Sequence, residues 1–164
     1  MLNADPAVME HFPAVLSRSE SDAFAARIEE CWETRGFGLW AVEVTAPPDA
    51  ADPFIGYVGL WPAEFVAPGL VEIGWRLARR SWGRGYATEA ARVALDFAFG
   101  VLGLPEVVSF TVPQNERSRR VMEKIGLHHD PSRDFDHPRL DPALYPHLVR
   151  HVMYTMAAPD RMPG

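Results

Sequence analysis

The stretch "RRSWGRGYATEA", residues 79–90, constrains the fold more than any other, because it sets two glycines one residue apart between a strand pattern and a helix pattern. Before it, "VEIGWRL" alternates as a half-buried strand does, and after it "YATEAARVALDFAFGVLG" is alanine-rich with apolar residues at helical spacing. A strand that turns through glycines into a helix starts an alternating arrangement of strands and helices. Gly83 and Gly85 allow backbone conformations and a close approach that side chains would block. The helix they open presents free N–H groups and the positive end of its dipole. The loop therefore reads as a cradle for a phosphate or pyrophosphate, with Arg80 and Arg84 adding charge. The plain alternative is a strand-to-helix turn that holds nothing.

The rest of the chain fits the same alternation. "SRSESDAFAARIEECWETRG" predicts a helix with Ser19 and Asp22 in capping-box spacing, Phe24, Ile28, Cys31 and Trp32 on one face, and a stop at Gly36. "GLWAVEVT" and "FIGYVGLW" predict strands, joined into a hairpin by the turn "APPDAADP". "EVVSFTV" is a further strand, "ERSRRVMEKIG" a helix ending at Gly126, and "LVRHVMYTM" a closing strand after an irregular segment from Pro131 to Pro146. The expected fold is an α/β or α+β sheet of mixed strand order, in one domain over residues 1–164.

Composition removes several classes of function. No run of eighteen or more apolar residues occurs, and "MLNADPAVME" lacks the basic start and apolar stretch of a signal peptide, so a cytoplasmic protein without a membrane partner is expected. The single cysteine, Cys31, forms no internal disulfide and suits a small buried hydrophobe. None of the six histidines stands at metal-ligand spacing, so no metal is expected. The net charge of −6 argues against general nucleic-acid binding, yet eight of the sixteen Lys and Arg residues lie between Arg79 and Lys124, which suits one anionic ligand. A Walker loop needs Gly-Lys-Ser/Thr, which is absent, and the dinucleotide fingerprint wants Gly or Ala where Thr88 stands.

What remains is Arg80-x-x-Gly83-x-Gly85 followed by Ala87. In this, "EIGWRLARRSWGRGYATEAARVALDFAF" resembles the acetyl-CoA loop of the GNAT superfamily of N-acetyltransferases, in particular its RimJ/RimL-type branch. "VVSFTVPQNERSRRVMEKIGL" is similar to the branch's second signature, with Asn115 and Ser118 in Asn-x-x-Ser spacing. "NADPAVMEHFP" and "GFGLWAVEV" also look like its early segments, so the resemblance covers most of the chain. It implies a mixed, mostly antiparallel twisted sheet flanked by helices, whose central parallel strands, here residues 71–77 and 107–112, splay apart. Acetyl-CoA is the implied co-substrate. Its pantetheine arm would lie along the splay beside Trp75 and Leu77, and its pyrophosphate on the amides of Trp82, Gly83, Arg84, Gly85, Tyr86 and Ala87. Asn115 and Ser118 would face the thiol end, and Arg120, Arg117 or Arg119 the remaining phosphate, unless these arginines form a solvated helix face.

The implied activity is direct acetyl transfer to a primary amine, on a protein N-terminus or on a small molecule. Glu72 is the candidate base, sharing a strand face with Gly74 and Arg76 while Val71, Ile73 and Trp75 point the other way. The alternative is that Glu72 and Arg76 pair across that face. Many relatives carry a tyrosine as general acid where this chain has Met122, which leaves the role to Ser118, to a water or to no group. The resemblance also lacks the strand that relatives usually carry ahead of "NADP", so an exposed edge near residues 39–45 is expected, from a truncated start or with another chain covering it. A monomer or homodimer follows. His137, with Asp136 or Arg139, is a candidate for the amine pocket, against a loop held by local hydrogen bonds. Two other classes stay open: an acyl-CoA-binding sensor without turnover, and an RNA-associated protein using the arginines. The acidic balance and the lack of an aromatic RNA-binding motif count against the latter.

Overall fold

A computed structural model of the chain describes residues 2–45 and 53–159, so nearly all of the "APPDAADP" turn lies outside the described residues. The first helix, α1 (Arg18–Arg35), starts at Ser17, whose hydroxyl accepts from the backbone N–H of Glu20 while the Glu20 carboxylate accepts from Ser17 N at 2.7 Å. The capping box is thus Ser17 with Glu20, not Ser19 with Asp22. Glutamate reaches back to the cap N–H where the shorter aspartate does not, and Asp22 instead pairs with Arg18 at 2.9 Å. Gly36, at φ 71°, ends the helix in the left-handed conformation. The inward face is the expected one, with Phe24 packing on Tyr57 at 5.5 Å and Trp32 on Trp40 at 4.9 Å between ring centroids.

Strands β1 (Leu39–Glu43) and β2 (Phe54–Pro62) pair antiparallel, Leu39 opposite Gly59, and β2 continues antiparallel to β3 (Val71–Leu77), Trp61 opposite Glu72. Helix α2 (Tyr86–Gly100) then carries the chain across to β4 (Glu106–Thr111), parallel to β3 as a helical crossover requires. After α3 (Glu116–Lys124), the short β5 (His128–His129) and β6 (Phe135–Asp136) and the long β7 (Arg150–Ala157) complete the sheet, in the order β1-β2-β3-β4-β7-β5 with β6 also on β7. All pairings but β3–β4 are antiparallel.

The core lies between this sheet and α2 and α3. Leu60, Ile73 and Val107 are fully buried against Ala91, Ala94 and Ala98, whose small side chains let α2 sit close to the strands, and Met122 of α3 fills the end of the same cluster. Each large aliphatic side chain buried there contributes about 1.5–3 kcal/mol. Residues 2–16 hold a short 3-10 helix (Leu2–Ala4), turns and no strand, and β1 is at the sheet's edge among the described residues. That edge is not bare along its length, since Trp32 Nε1 donates to the Leu39 carbonyl at 3.1 Å.

Candidate functional site

Strands β3 and β4 share a single registered pair, Glu72 opposite Val108. Beyond it they diverge, and the gap opens a cavity of about 900 Å³ walled by β3, β4, the loop after β3, the first turns of α2 and α3, and residues 7–13. The splay predicted for residues 71–77 and 107–112 is therefore present. Backbone groups of β3 beyond Glu72 have no ladder partner on the β4 side, and a buried polar backbone left that way calls for a ligand or water.

At one end of the cavity lies the glycine loop. Gly83 (φ 74°) and Gly85 (φ 87°) are both left-handed, and a Cβ built on either meets no atom within 4 Å. Backbone conformation, not crowding, requires glycine here, and the loop's surface faces open space. Gly85 caps α2 without any side-chain hydrogen bond, so the amides of the first turn are left to the cavity that Tyr86, Ala87 and Thr88 line. Trp82 Nε1 donates to the Leu77 carbonyl at 2.7 Å, locking the loop to the end of β3, and the Arg117 guanidinium lies 4.6 Å from the centre of the Trp82 ring.

The predicted site residues divide cleanly. Glu72, Trp75, Leu77, Trp82, Gly83, Gly85, Tyr86, Ala87, Asn115, Ser118 and Arg120 all line the cavity. Arg80 and Arg84 lie outside the lining, with Arg80 Nη2 donating to the Phe54 carbonyl at 2.6 Å. Among the α3 arginines, Arg117 and Arg120 line the cavity with Lys124. Arg119 turns away, its Nε donating to the Tyr154 hydroxyl at 3.1 Å and its Nη1 to the Pro113 carbonyl at 3.0 Å.

Asn115 joins β4 to α3. Its Nδ2 donates to Thr111 Oγ1 at 2.9 Å and its Oδ1 accepts from Ser118 N at 3.3 Å, so its amide is committed to positioning the helix start. Ser118 has no side-chain hydrogen bond among the described residues and is the hydroxyl left open to the cavity on α3. Met122 sits in the core, 1% exposed, and reaches no cavity wall.

Glu72 and Arg76 do not pair. Arg76 Nη1 donates to Asn3 Oδ1 at 2.9 Å, and its guanidinium stacks on Phe12 at 4.1 Å with Tyr57 and Phe24 beside it. The geometry follows from the strand: two residues apart on one face stand Glu72, Gly74 and Arg76, and the long arginine leans away to the N-terminal segment. Glu72 Oε1 lies over the bare Cα of Gly74, 3.8 Å from where a Cβ would sit. Its carboxyl stands at the cavity wall, and, with no hydrogen bond or ion pair among the described residues to hold its charge, burial pushes its pKa up to about 8. A carboxyl poised near neutrality beside a cavity can take a proton from an incoming amine.

At the other end of the cavity His137 lines the wall, while Asp136 pairs with Arg150 at 3.3 Å and Arg139 lies over Phe65 at 4.8 Å. Sequence reasoning missed His151, Phe65 and Phe110, which stand beside His137 on the same wall. His151 reads as one more position of an alternating strand. Only the β6–β7 register, Phe135 opposite His151, brings it next to the 135–137 segment. The segment of residues 7–13, whose His11 and Phe12 border the cavity, carried no signal beyond its likeness to an early family segment.

Comparison with known proteins gives a consistent set of relatives. The family model described as an acetyltransferase (GNAT) domain matches residues 1–128. The uncharacterized protein YkkB of Bacillus subtilis is 32% identical over 129 residues, 79% of this chain and 73% of that protein. The FsC-acetyl coenzyme A-N(2)-transacetylase of Aspergillus fumigatus is 32% identical over 137 residues, 78% of this chain, which spans 56% of that enzyme's length. Among solved structures, an acetyltransferase from Agrobacterium tumefaciens superposes with a TM-score of 0.72 at 28% identity, covering 94% of this chain and 80% of that one.

Proposed function

The chain belongs to the acetyltransferase (GNAT) domain family, and from that premise we propose that its cavity takes acetyl-CoA along the β3–β4 splay and that the acetyl group passes directly to a primary amine. It is an N-acetyltransferase; the assignment of roles to residues, its place in the RimJ/RimL-type branch and its extent as one domain over residues 1–164 are our reading. The observation that carries it is the splay with its single registered pair, because it leaves a strand-like slot where an amide-bearing arm can hydrogen-bond. The glycine loop and the uncapped start of α2 fit a pyrophosphate, and Arg117, Arg120 and Lys124 supply charge for a further phosphate.

When bound, acetyl-CoA would supply a thioester whose C–S bond breaks as the amide C–N bond forms; an ammonium acceptor sheds two protons in all, one to Glu72 and one that ends on the released thiol. Glu72 receives the amine proton at its carboxylate, and its pKa of about 8 keeps it close to the α-amino range of about 7.7–8.0. Ser118 offers its hydroxyl to the departing sulfur, since Met122 is buried elsewhere. Asn115 holds the start of α3, and with it Ser118, in place.

Calorimetric titration with acetyl-CoA tests the reading. Wild type is expected to bind with a dissociation constant on the order of micromolar, and a Gly83→Val/Gly85→Val variant that still melts cooperatively is expected not to bind. A folded wild type that fails to bind overturns the assignment. Binding without thiol release in the presence of any amine would instead support an acyl-CoA sensor, a reading favoured by the absence of a tyrosine at position 122.

A further inference from the structure

Granted that reading, the acceptor amine must approach Glu72 from the side of the cavity opposite the glycine loop. The wall there is built of rings. Phe65 meets Phe110 edge-on with centroids 5.7 Å apart, Phe110 meets His151 at 5.9 Å, His151 meets His137 at 5.1 Å, and His137 closes the circuit on Phe65 at 4.9 Å. Phe135 backs the circuit, 5.3 Å from Phe110 and 5.5 Å from His151. Four rings of four separate segments thus form one rigid surface, with Leu140 extending it along the cavity.

The rings themselves carry almost no charge, and the fixed charge packed against them, Arg139 over Phe65 at 4.8 Å, is a cation that repels an ammonium group. Burial lowers the pKa of both imidazoles, and for His137 the neighbouring His151 and Arg139 lower it further, which favours the neutral form of both. His137 Nδ1 accepts from Arg139 N at 3.3 Å and His151 Nδ1 lies 3.1 Å from the Val149 carbonyl, so neither ring needs a second proton to satisfy its local partner. Of the two carboxylates that line the cavity, Glu10 belongs to the other end, where it borders a side recess with Arg117 and Arg120, which leaves Glu72 alone beside the rings. An acceptor with several ammonium groups would find one carboxylate and otherwise bury its remaining charges unpaired. A polypeptide N-terminus would meet rings where its next peptide groups need hydrogen-bond partners.

We propose that the acceptor end of the cavity is specific for a small monoamine carried on an aromatic or bulky apolar body, its ring or chain lying on the Phe65–Phe110–His151–His137 surface and its nitrogen at Glu72. The rings offer apolar area and edge-to-face contacts to such a body. Glu72 offers the one partner that a single amine requires.

The test follows thiol release at saturating acetyl-CoA with 2-phenylethylamine, spermidine and an alanyl N-terminal peptide. Phenylethylamine is expected to give a kcat/KM at least about tenfold above either of the others. In Phe110→Leu and His151→Gln, the KM for phenylethylamine is expected to rise about tenfold with kcat little changed, the pattern of lost ground-state binding. Melting temperature and calorimetric affinity for acetyl-CoA should stay at wild-type values in both, which separates lost recognition from a lost fold. Spermidine or the peptide preferred over phenylethylamine, an unchanged KM in both folded variants, or no turnover of phenylethylamine by protein that binds acetyl-CoA each overturn the proposal. Failure to bind acetyl-CoA is a different result, and removes the acetyltransferase reading on which it rests.

Discussion

Glu72 shows how one residue's surroundings decide its chemistry. Arg76, the cation that shares its strand face, is drawn off by Asn3 and Phe12, and the carboxyl is left facing the cavity. Its alternation with Ile73 was legible in the sequence; the direction Arg76 takes was not, because Asn3 is 73 residues away. The raised pKa has two consequences of known sign. As a base Glu72 must be deprotonated, so kcat/KM is expected to rise with pH through about 8 and then level off, and Glu72→Gln should flatten that limb while lowering kcat by about 10²–10⁴-fold. In stability the sign is opposite. The folded chain keeps a proton that the unfolded chain releases, so Glu72 disfavours folding increasingly as pH climbs from 4.5 to about 8. Chemical denaturation of wild type and Glu72→Gln at pH 5 and pH 9 checks this: the variant should gain on wild type at the higher pH, and parallel curves would rule the effect out.

At the scale of elements, local signals wrote most of the fold. Alternation marked β2, β3, β4 and β7, and glycines with φ of 71° and 87° marked the end of α1 and the start of α2. While α2 and α3 end at Gly100 and Lys124, short of the expected 103 and 126, the cap of α1 was misplaced because two Ser-x-x-acid patterns overlap, and only side-chain length separates them. That reading makes a prediction: Ser17→Ala should destabilise the protein by about 1 kcal/mol, whereas Ser19→Ala should fall within about 0.5 kcal/mol of wild type, as thermal melts can resolve. The short strands β5 and β6, two residues each, had no such signal. They exist because β7, paired with β4 along one edge, offers its other edge to both, a fact of tertiary pairing that no window of sequence contains. The same limit hid the ring surface, whose members come from the segment after β2, from β4, from the 135–137 stretch and from β7.

For the molecule as a whole, the cavity depends on parts with little in common locally, and the N-terminal segment shows how they are held. Residues 7–13 form one wall, yet they contain no regular element to fix them. Asn3 ties down the ends that flank it: its Oδ1 accepts from Arg76 of β3, its Nδ2 donates to Ser21 of α1 at 3.3 Å, and its backbone carbonyl accepts from Leu16 N at 2.8 Å, while within the segment Phe12 lies on the same Arg76 guanidinium and Met9 is buried. Arg76 is a largely buried cation with no carboxylate partner among the described residues and with Nε unsatisfied there, so Asn3 Oδ1 and the surrounding rings are what stabilise it. Removing that acceptor leaves the guanidinium worse solvated, at a loss of about 1.5–3 kcal/mol for a charged hydrogen bond. Asn3→Ala is therefore expected to melt earlier and to expose the amides near residues 8–12 to faster hydrogen exchange. Affinity for acetyl-CoA, which draws on the glycine loop as well as on α3, should fall less than the KM for the acceptor rises, since only Glu10 and His11 of the segment reach α3. An equal loss in both would mean that the segment supports the cavity as one body and has no separate part in receiving the amine.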